Sequence, residues 1–260
     1  MKKLFILFFL GLMLVCFTSC SQTNEKELKF GFDAEYPPFG YLDTDTGEYT
    51  GFDIEYAKAV CEKINYKLKL VPIDWDAKDA ELSSGNIDCI WSGFTINGRE
   101  DDYEWTDAYV DNSIVVLTKK TSGIEVLNDL SGKTVSVQMS SSGQTALDSN
   151  ENKTLVSSFK NGKYLLCADY SNAFMELETG AIDAIVIDIN VAKYLISGKT
   201  DNYVILTEQI SSEKYGVGFK KGNTELCKLV NDAMISLAKD GTVDQIAKKY
   251  NLTDSICIGK

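Results

Sequence analysis

The chain has 260 residues, 44% of them hydrophobic and 25% charged, a globular composition long enough for one large domain or two of about 100–150 residues. Acidic side chains outnumber basic ones 38 to 26, giving a net charge of −12, and a surface of that sign repels phosphate backbones, which excludes nucleic acid as a partner. There is no histidine, which removes HExxH metal sites, Ser-His and Cys-His nucleophile pairs and the usual general base near neutral pH; no metal or cofactor is expected.

The N-terminus, MKKLFILFFLGLMLVCFTSC, places two lysines before an apolar run from Leu4 to Phe17, shorter than the roughly 20 residues a spanning helix needs. It reads as an export signal over residues 1–19. The run ends in FTSC and then turns polar, which resembles the lipobox of bacterial lipoproteins and implies cleavage before Cys20, lipidation of that cysteine and a flexible tether over 20–27. Nothing after residue 20 is long and apolar enough to span a bilayer, so the expected location is outside the cytoplasm, anchored by lipid. Cys61, Cys89, Cys167, Cys227 and Cys257 remain, an odd set without short spacings, and they read as free thiols, mostly buried.

From Leu28 to Asp33, LKFGFD alternates as a strand, and the prolines at 37 and 38 with Gly47 mark loop and turn. FDIEYAKAVCEKIN has Ile54, Ala57, Val60, Cys61 and Ile64 at helical spacing with Asp53 placed to cap it. YKLKLVPI is a strand, DAKDAELSSG a short helix and IDCIW a third strand, the grammar of a parallel sheet with right-handed crossovers. The second half repeats it: KTVSVQM strand, SSSGQTALDSN helix, TLVSSF strand, YSNAFMELETG helix and IDAIVI strand. GNIDCI (85–90) and GAIDAI (180–185) echo one another, each ending a helix with glycine and opening a strand through Ile-Asp; Asp88 and Asp183 are assigned to structure there. EKYGVGFKKGN is a glycine-punctuated strand and turn. TELCKLVNDAMISLAKDG follows as an amphipathic helix through Leu226, Leu229, Val230, Ala233, Met234 and Leu237, and TVDQIAKKYNL comes after it.

The succession FGFDAEYPPFGY, GFDIEYAKAVCEKI, DCIWSGFTINGRE, WTDAY, LSGKTVSVQMSSSG, GAIDAIVID and DGTVDQIAKKY resembles the polar amino-acid-binding proteins of ABC importers, the family 3 extracellular solute-binding proteins. The resemblance covers nearly all of residues 28–250. It implies an α/β Venus flytrap of two lobes, each a mostly parallel sheet flanked by helices, closing on a ligand by hinge motion. Lobe 1 would comprise 28–112 and 213–260, and lobe 2 residues 113–212, with two crossing strands between them. Implied partners are a free polar amino acid and a membrane permease, with the protein itself a monomer and not an enzyme. Two other classes stay open at this stage: a dehydratase of the cyclohexadienyl or arogenate type on the same fold, and a sensor domain working with a membrane partner.

A free amino acid is a zwitterion, and its capture needs one cationic fork, one carboxylate and several uncharged donors and acceptors. Arg99 is the only arginine, and a guanidinium holds a carboxylate bidentately. Without its context it reads as a surface ion pair with Glu100, Asp101 or Asp102. Three residues, Ile96 to Gly98, separate it from Thr95 where the family usually has four. Ser92, Gly93, Phe94 and Thr95 match the family segment whose carbonyls and hydroxyls meet the ligand, although a turn or cap explains serine and threonine equally. Ser141, Ser142 and Gly143 open a helix whose free N–H groups would favour the carboxylate, or which the serines simply cap. Asp188 matches the ammonium-binding carboxylate; its alternative is the N-cap of INVAKYLI. Tyr36 and Trp75 match positions that sandwich the ligand side chain, and Trp91 is expected beside the ligand too. Asp33 matches the position that meets the polar end of that side chain, which favours basic, amide or cystine ligands over acidic ones.

Overall fold

The computed structural model describes residues 26–260; the stretch expected to be an export signal, Cys20 and most of the expected tether lie outside the described residues. The first lobe is laid down as β1 (Glu27–Phe32), a small antiparallel sheet of β2 (Glu35–Tyr36), β3 (Gly40–Leu42) and β4 (Tyr49–Thr50), then α1 (Phe52–Ile64), β5 (Lys67–Pro72), α2 (Lys78–Ser84), β6 (Cys89–Ile90) and β7 (Tyr103–Trp105). The second runs through β8 (Val110–Lys119), β9 (Val135–Gln138), α3 (Ser142–Asp148), α4 (Lys153–Ser158), β10 (Leu165–Cys167), α5 (Tyr170–Thr179), β11 (Ala184–Asp188), α6 (Ile189–Leu195), β12 (Tyr203–Ile205) and β13 (Ser211–Tyr215). The chain then returns to the first sheet with β14 (Gly218–Lys220) and closes on α7 (Thr224–Lys239) and α8 (Thr242–Lys249). On α7 the buried stripe is Cys227, Val230, Ala233, Met234 and Leu237; Leu229, expected on that stripe, is exposed.

The sheets are mixed rather than mostly parallel. Strands β5, β1 and β6 pair in parallel, but β14 and β7 continue that sheet antiparallel; β10, β9 and β11 are parallel, but β8 joins antiparallel and carries β12 and β13. The cause is the double crossing, since strands that arrive from the other lobe enter each sheet in the opposite sense. The two crossing segments hold one another. β8 and β13 pair from Ile114 opposite Ser211 to Val110 opposite Tyr215, Tyr109 N donates to Tyr215 O (2.9 Å), and Thr106 N donates to Val217 O (3.1 Å).

One element differs in type. TLVSS lies in helix α4 with Phe159 at its C-cap, and the strand of that region is β10, a run in which Leu165 and Leu166 are exposed. A short apolar run has no period long enough to separate strand from helix. Asp53 also differs: Gly51 is the N-cap of α1, and Asp53 turns inward with no exposed surface.

The Ile-Asp echo is a repeated clasp. Helices α2 and α5 end on left-handed glycines, Gly85 (φ 79°) and Gly180 (φ 80°), which only a residue without Cβ adopts cheaply. Asp88 N then donates to Lys29 O (2.8 Å) while Lys29 N donates to Asp88 Oδ2 (2.8 Å). Asp183 and Thr134 repeat this at 2.8 and 2.7 Å. Each clasp fixes β6 and β11 in register against a parallel neighbour, and so fixes where their carboxyl ends emerge. Asp183→Ala should lower stability by about 1.5–3 kcal/mol, the worth of a hydrogen bond to a charged group, in urea denaturation, and Asp183→Asn, which keeps an acceptor, should lose less.

Candidate functional site

Strand carboxyl ends in open α/β sheets are where ligands bind, and here those of β1, β6, β9 and β11 converge. The cavity between them is lined by Asp33, Tyr36, Trp75, Ser92, Gly93, Thr95, Arg99, Gln138, Ser141, Ser142 and Asp188. Of the sequence candidates, Phe94, Trp91 and Gly143 are not on that wall; the others are, and Gln138 joins them. The cavity measures about 10 Å³, room for about one water molecule, so the two lobes are drawn together over it.

Asp33 follows β1 directly and is 7% exposed. Its Oδ1 accepts from Glu35 N (2.8 Å) and its Oδ2 from Gln138 Nε2 (2.8 Å), a hydrogen bond that joins the two lobes. Burial pushes its pKa up to about 6, with those donors pulling the other way. Ser92 Oγ accepts from Asp33 N (3.1 Å), so the serine braces the carboxylate's own backbone.

Gly93 has φ +55°, and a Cβ there would sit 2.6 Å from the Tyr36 ring, so the wall requires glycine. Its N–H donates to Asp53 Oδ2 (2.8 Å), which also accepts from Tyr109 OH (3.0 Å). Asp53 is thus a buried bracket behind the segment 92–95, and burial pushes its pKa up to about 7.

Arg99 Nη1 donates to Thr95 O (3.2 Å), and its guanidinium lies 5.2 Å from the Phe94 ring centre. Phe94 itself is fully buried among Trp75, Tyr103 and Trp105 and supports the arginine from behind. The short turn before Arg99 is well tied: Lys214 N donates to Asn97 Oδ1 (2.8 Å) and Trp105 Nε1 to Arg99 O (3.0 Å). Among the described residues no carboxylate lies within 4.0 Å of the guanidinium, so the surface ion pair does not form. Trp75 is half-buried on the wall with Lys78 Nζ 5.4 Å from its ring centre. Trp91, by contrast, is fully buried between Phe30, Tyr56 and Tyr109 and does not reach the cavity. From the second lobe, Ser141 caps α3, its Oγ accepting from Gln144 N (3.1 Å), and Ser142 faces the cavity beside it.

Asp188 stands at the N-cap position of α6, but its carboxylate makes no capping bond. It turns into the cleft, where Oδ1 accepts from Asn112 Nδ2 (2.7 Å) and from Tyr215 OH. Asn112 Nδ2 also donates to Glu213 Oε1 (2.8 Å), and Tyr36 OH and Tyr215 OH share a hydrogen bond of 3.1 Å. Burial raises the pKa of Asp188 and, with the nearby Asp188 charge, pushes that of Glu213 up to about 8. Gln138, Asn112, Glu213, Tyr215 and Asp53 are the members that sequence reasoning missed.

The chain matches the bacterial extracellular solute-binding proteins, family 3, over residues 28–253. It belongs to that family. Among relatives of this family 3 chain, the L-cystine-binding protein TcyJ of Escherichia coli (strain K12) is 31% identical over 226 residues, covering 86% of this chain and 82% of its own length. The arginine-binding extracellular protein ArtP of Bacillus subtilis (strain 168) is 28% identical over 96% of this chain and 98% of its own. A crystal structure of an ABC uptake transporter substrate binding protein from Streptococcus pneumoniae with bound histidine superposes with a TM-score of 0.82 at 35% identity, covering 86% of this chain and 92% of that one. The two-lobed fold of these solute-binding proteins is therefore the fold of this chain.

The buried carboxyls set a pH signature. Asp33 (about 6), Asp53 (about 7) and Glu213 (about 8) all have folded values above those of unfolded carboxyls, so between pH 5 and 8 the folded protein holds more protons than the unfolded one. Stability must then fall as pH rises through that window. The ligand-free protein should melt at a higher temperature at pH 5.5 than at pH 8; a flat or rising profile contradicts this arrangement.

Proposed function

We propose that this solute-binding protein captures one free polar L-amino acid between its lobes and presents it to an ABC permease, outside the cytoplasm and held to the membrane through lipid on Cys20. One observation carries the reading. Arg99 and Asp188 line the same small cavity, and among the described residues neither has an ion-pair partner of its own. A guanidinium and a buried carboxylate, each unmatched, are complementary to the two heads of a zwitterion. Thr95, Ser92, Ser141 and Ser142 supply uncharged polar groups, Gly93 lets backbone come close, and Tyr36 and Trp75 supply the apolar walls.

Asp33 faces the ligand's side chain in this reading. It and Trp75 also border an outer basin of about 670 Å³ whose wall carries Glu35, Asp74, Asp76, Glu81 and Asp169 and no lysine or arginine. Such a mouth attracts cations and repels glutamate and aspartate. Basic, amide and cystine ligands rank first, in line with the cystine and arginine named for two relatives. The lobes divide at 112/113 and 212/213, with β8 and β13 as the hinge, and capture proceeds without turnover: Asp33 and Asp188 are both engaged by protein donors, so prephenate and arogenate should remain intact on incubation.

A thermal-shift screen with arginine, lysine, glutamine, histidine, cystine, glutamate and aspartate tests the class. A bound ligand at 100 times its dissociation constant should stabilise by about 2.7 kcal/mol, with none from the two acids. Arg99→Ala should weaken the selected ligand by about 2–5 kcal/mol, since it strips the partner from a desolvated carboxylate. An affinity within a few-fold of the parent would remove Arg99 from the site.

Anchoring has a separate test. Cys20→Ala should move the protein from the membrane fraction to the soluble exported fraction, in cells lacking the permease; unchanged membrane association would sink the lipid anchor.

A further inference from the structure

Glu213 is 5% exposed, does not line the ligand cavity, and stands directly behind a residue that does. It sits on β13 opposite Asn112 of β8, so the two strands that cross between the lobes face their polar side chains at one point. A single nitrogen, Asn112 Nδ2, reaches both Asp188 Oδ1 (2.7 Å) and Glu213 Oε1 (2.8 Å). The groups that face this pair are hydroxyls and amides: Tyr215 on β13, Tyr36 on β2, Tyr170 on α5, Ser142 on α3 and Asn190 on α6. Lys214, between Glu213 and Tyr215, points to the other face and pairs with Asp111. Among the described residues no lysine or arginine comes within 4.0 Å of either carboxyl.

Two buried carboxyls bridged by one amide, with no cation beside them, resist ionising together, which favours a proton on the pair. A ligand ammonium arriving at Asp188 changes that balance, because it brings the missing positive charge and its own N–H donors. We propose that Glu213 is a positioning residue for amino-acid capture: it keeps a proton on the Asp188–Glu213 pair while the cleft is empty, and that proton leaves to solvent when the ligand's ammonium docks on Asp188. This rests on the amino-acid-binding reading above. No covalent bond changes; the pair loses one proton, and the ammonium keeps its three.

The linkage has a fixed sign. The complex holds fewer protons than the empty protein plus ligand, so affinity rises with pH, by at most about tenfold per unit where a whole proton is displaced. Because Glu213 and Asn112 are on the crossing strands, the same event removes the proton that lies between the lobes' connections.

The test is calorimetric titration of the whole protein with L-glutamine, L-arginine, L-lysine and L-cystine at pH 6 and pH 8, and at pH 7 in two buffers of different ionisation enthalpy. Glutamine is the deciding ligand among those that bind, since its neutral side chain leaves Asp33 without a cation; if it does not bind, Asp33→Asn is used with the ligand that does. The expected result is tighter binding at pH 8 than at pH 6 and buffer-dependent heat showing net proton release. Glu213→Gln should abolish both, and Glu213→Asp, which keeps a titrating carboxyl, should restore them. No proton release from the parent, or equal release from Glu213→Gln, overturns the proposal while leaving amino-acid binding intact. If Glu213→Gln does not fold, the buffer dependence of the parent decides. Histidine is titrated in the same way if the four do not bind; binding of none of the five overturns the binding reading itself, and the proposal with it.

Discussion

The cleft buries three carboxyl groups, Asp33, Asp188 and Glu213, and among the described residues none has a lysine or arginine within ion-pair distance. Removing carboxylates from water without a cation costs several kcal/mol per ion; hydrogen bonds offset part of this, and burial raises the pKa of all three. Gln138 and Glu35 N serve Asp33; Asn112 and Tyr215 serve Asp188. Hydrogen bonds lessen the penalty but supply no positive charge. The site is therefore electrostatically incomplete on its acidic side, while Arg99, held only by a carbonyl and an aromatic face, is incomplete on its basic side. A zwitterion resolves both at once.

The same residues also hold the lobes together. Asp33 to Gln138 ties one lobe to the other, and Tyr36 to Tyr215 ties the first lobe to the crossing strand β13, around a cavity of about 10 Å³. An amino acid does not fit there unless these contacts give way. In the proposed reading, capture exchanges protein-to-protein hydrogen bonds for ligand-to-protein ones, with charge pairing and apolar contact with Tyr36 and Trp75 supplying the gain. The β8–β13 ladder passes beneath this cavity, and Asn112 and Glu213 place polar groups of the ladder against Asp188.

Much of the fold was legible because its punctuation is chemical. Gly85 and Gly180 stop helices, Ile-Asp opens the next strand, and the alternation of apolar residues does the rest. Arg99 stood out as the single arginine, and Asp188 as a charge closing a buried strand. Gln138, Asn112 and Glu213 were not legible, because a polar residue in an alternating strand reads as solvent-facing until the second lobe is laid over it. Asp53 misled for a related reason. An acid in the first helical turn is a favoured cap, but Gly51 takes that position and leaves the carboxylate free to hold Gly93. Trp91 lies one residue from Ser92 and therefore on the opposite face of the emerging chain, in the core rather than the cleft. The α4 and β10 exchange arose because exposed Leu165 and Leu166 lack the alternation of a half-buried strand, while the helix carries only six residues.

The claim that both heads of a zwitterion are recognised in one cavity is tested most directly by native mass spectrometry of the protein in competition. The protein is equilibrated with its selected amino acid and a tenfold excess of either the N-acetyl derivative or the decarboxylated amine. The account predicts one bound amino acid per protein, displaced by neither analogue, because each lacks the group that Asp188 or Arg99 requires. Displacement by both analogues would show that only the side chain is read, and would contradict it.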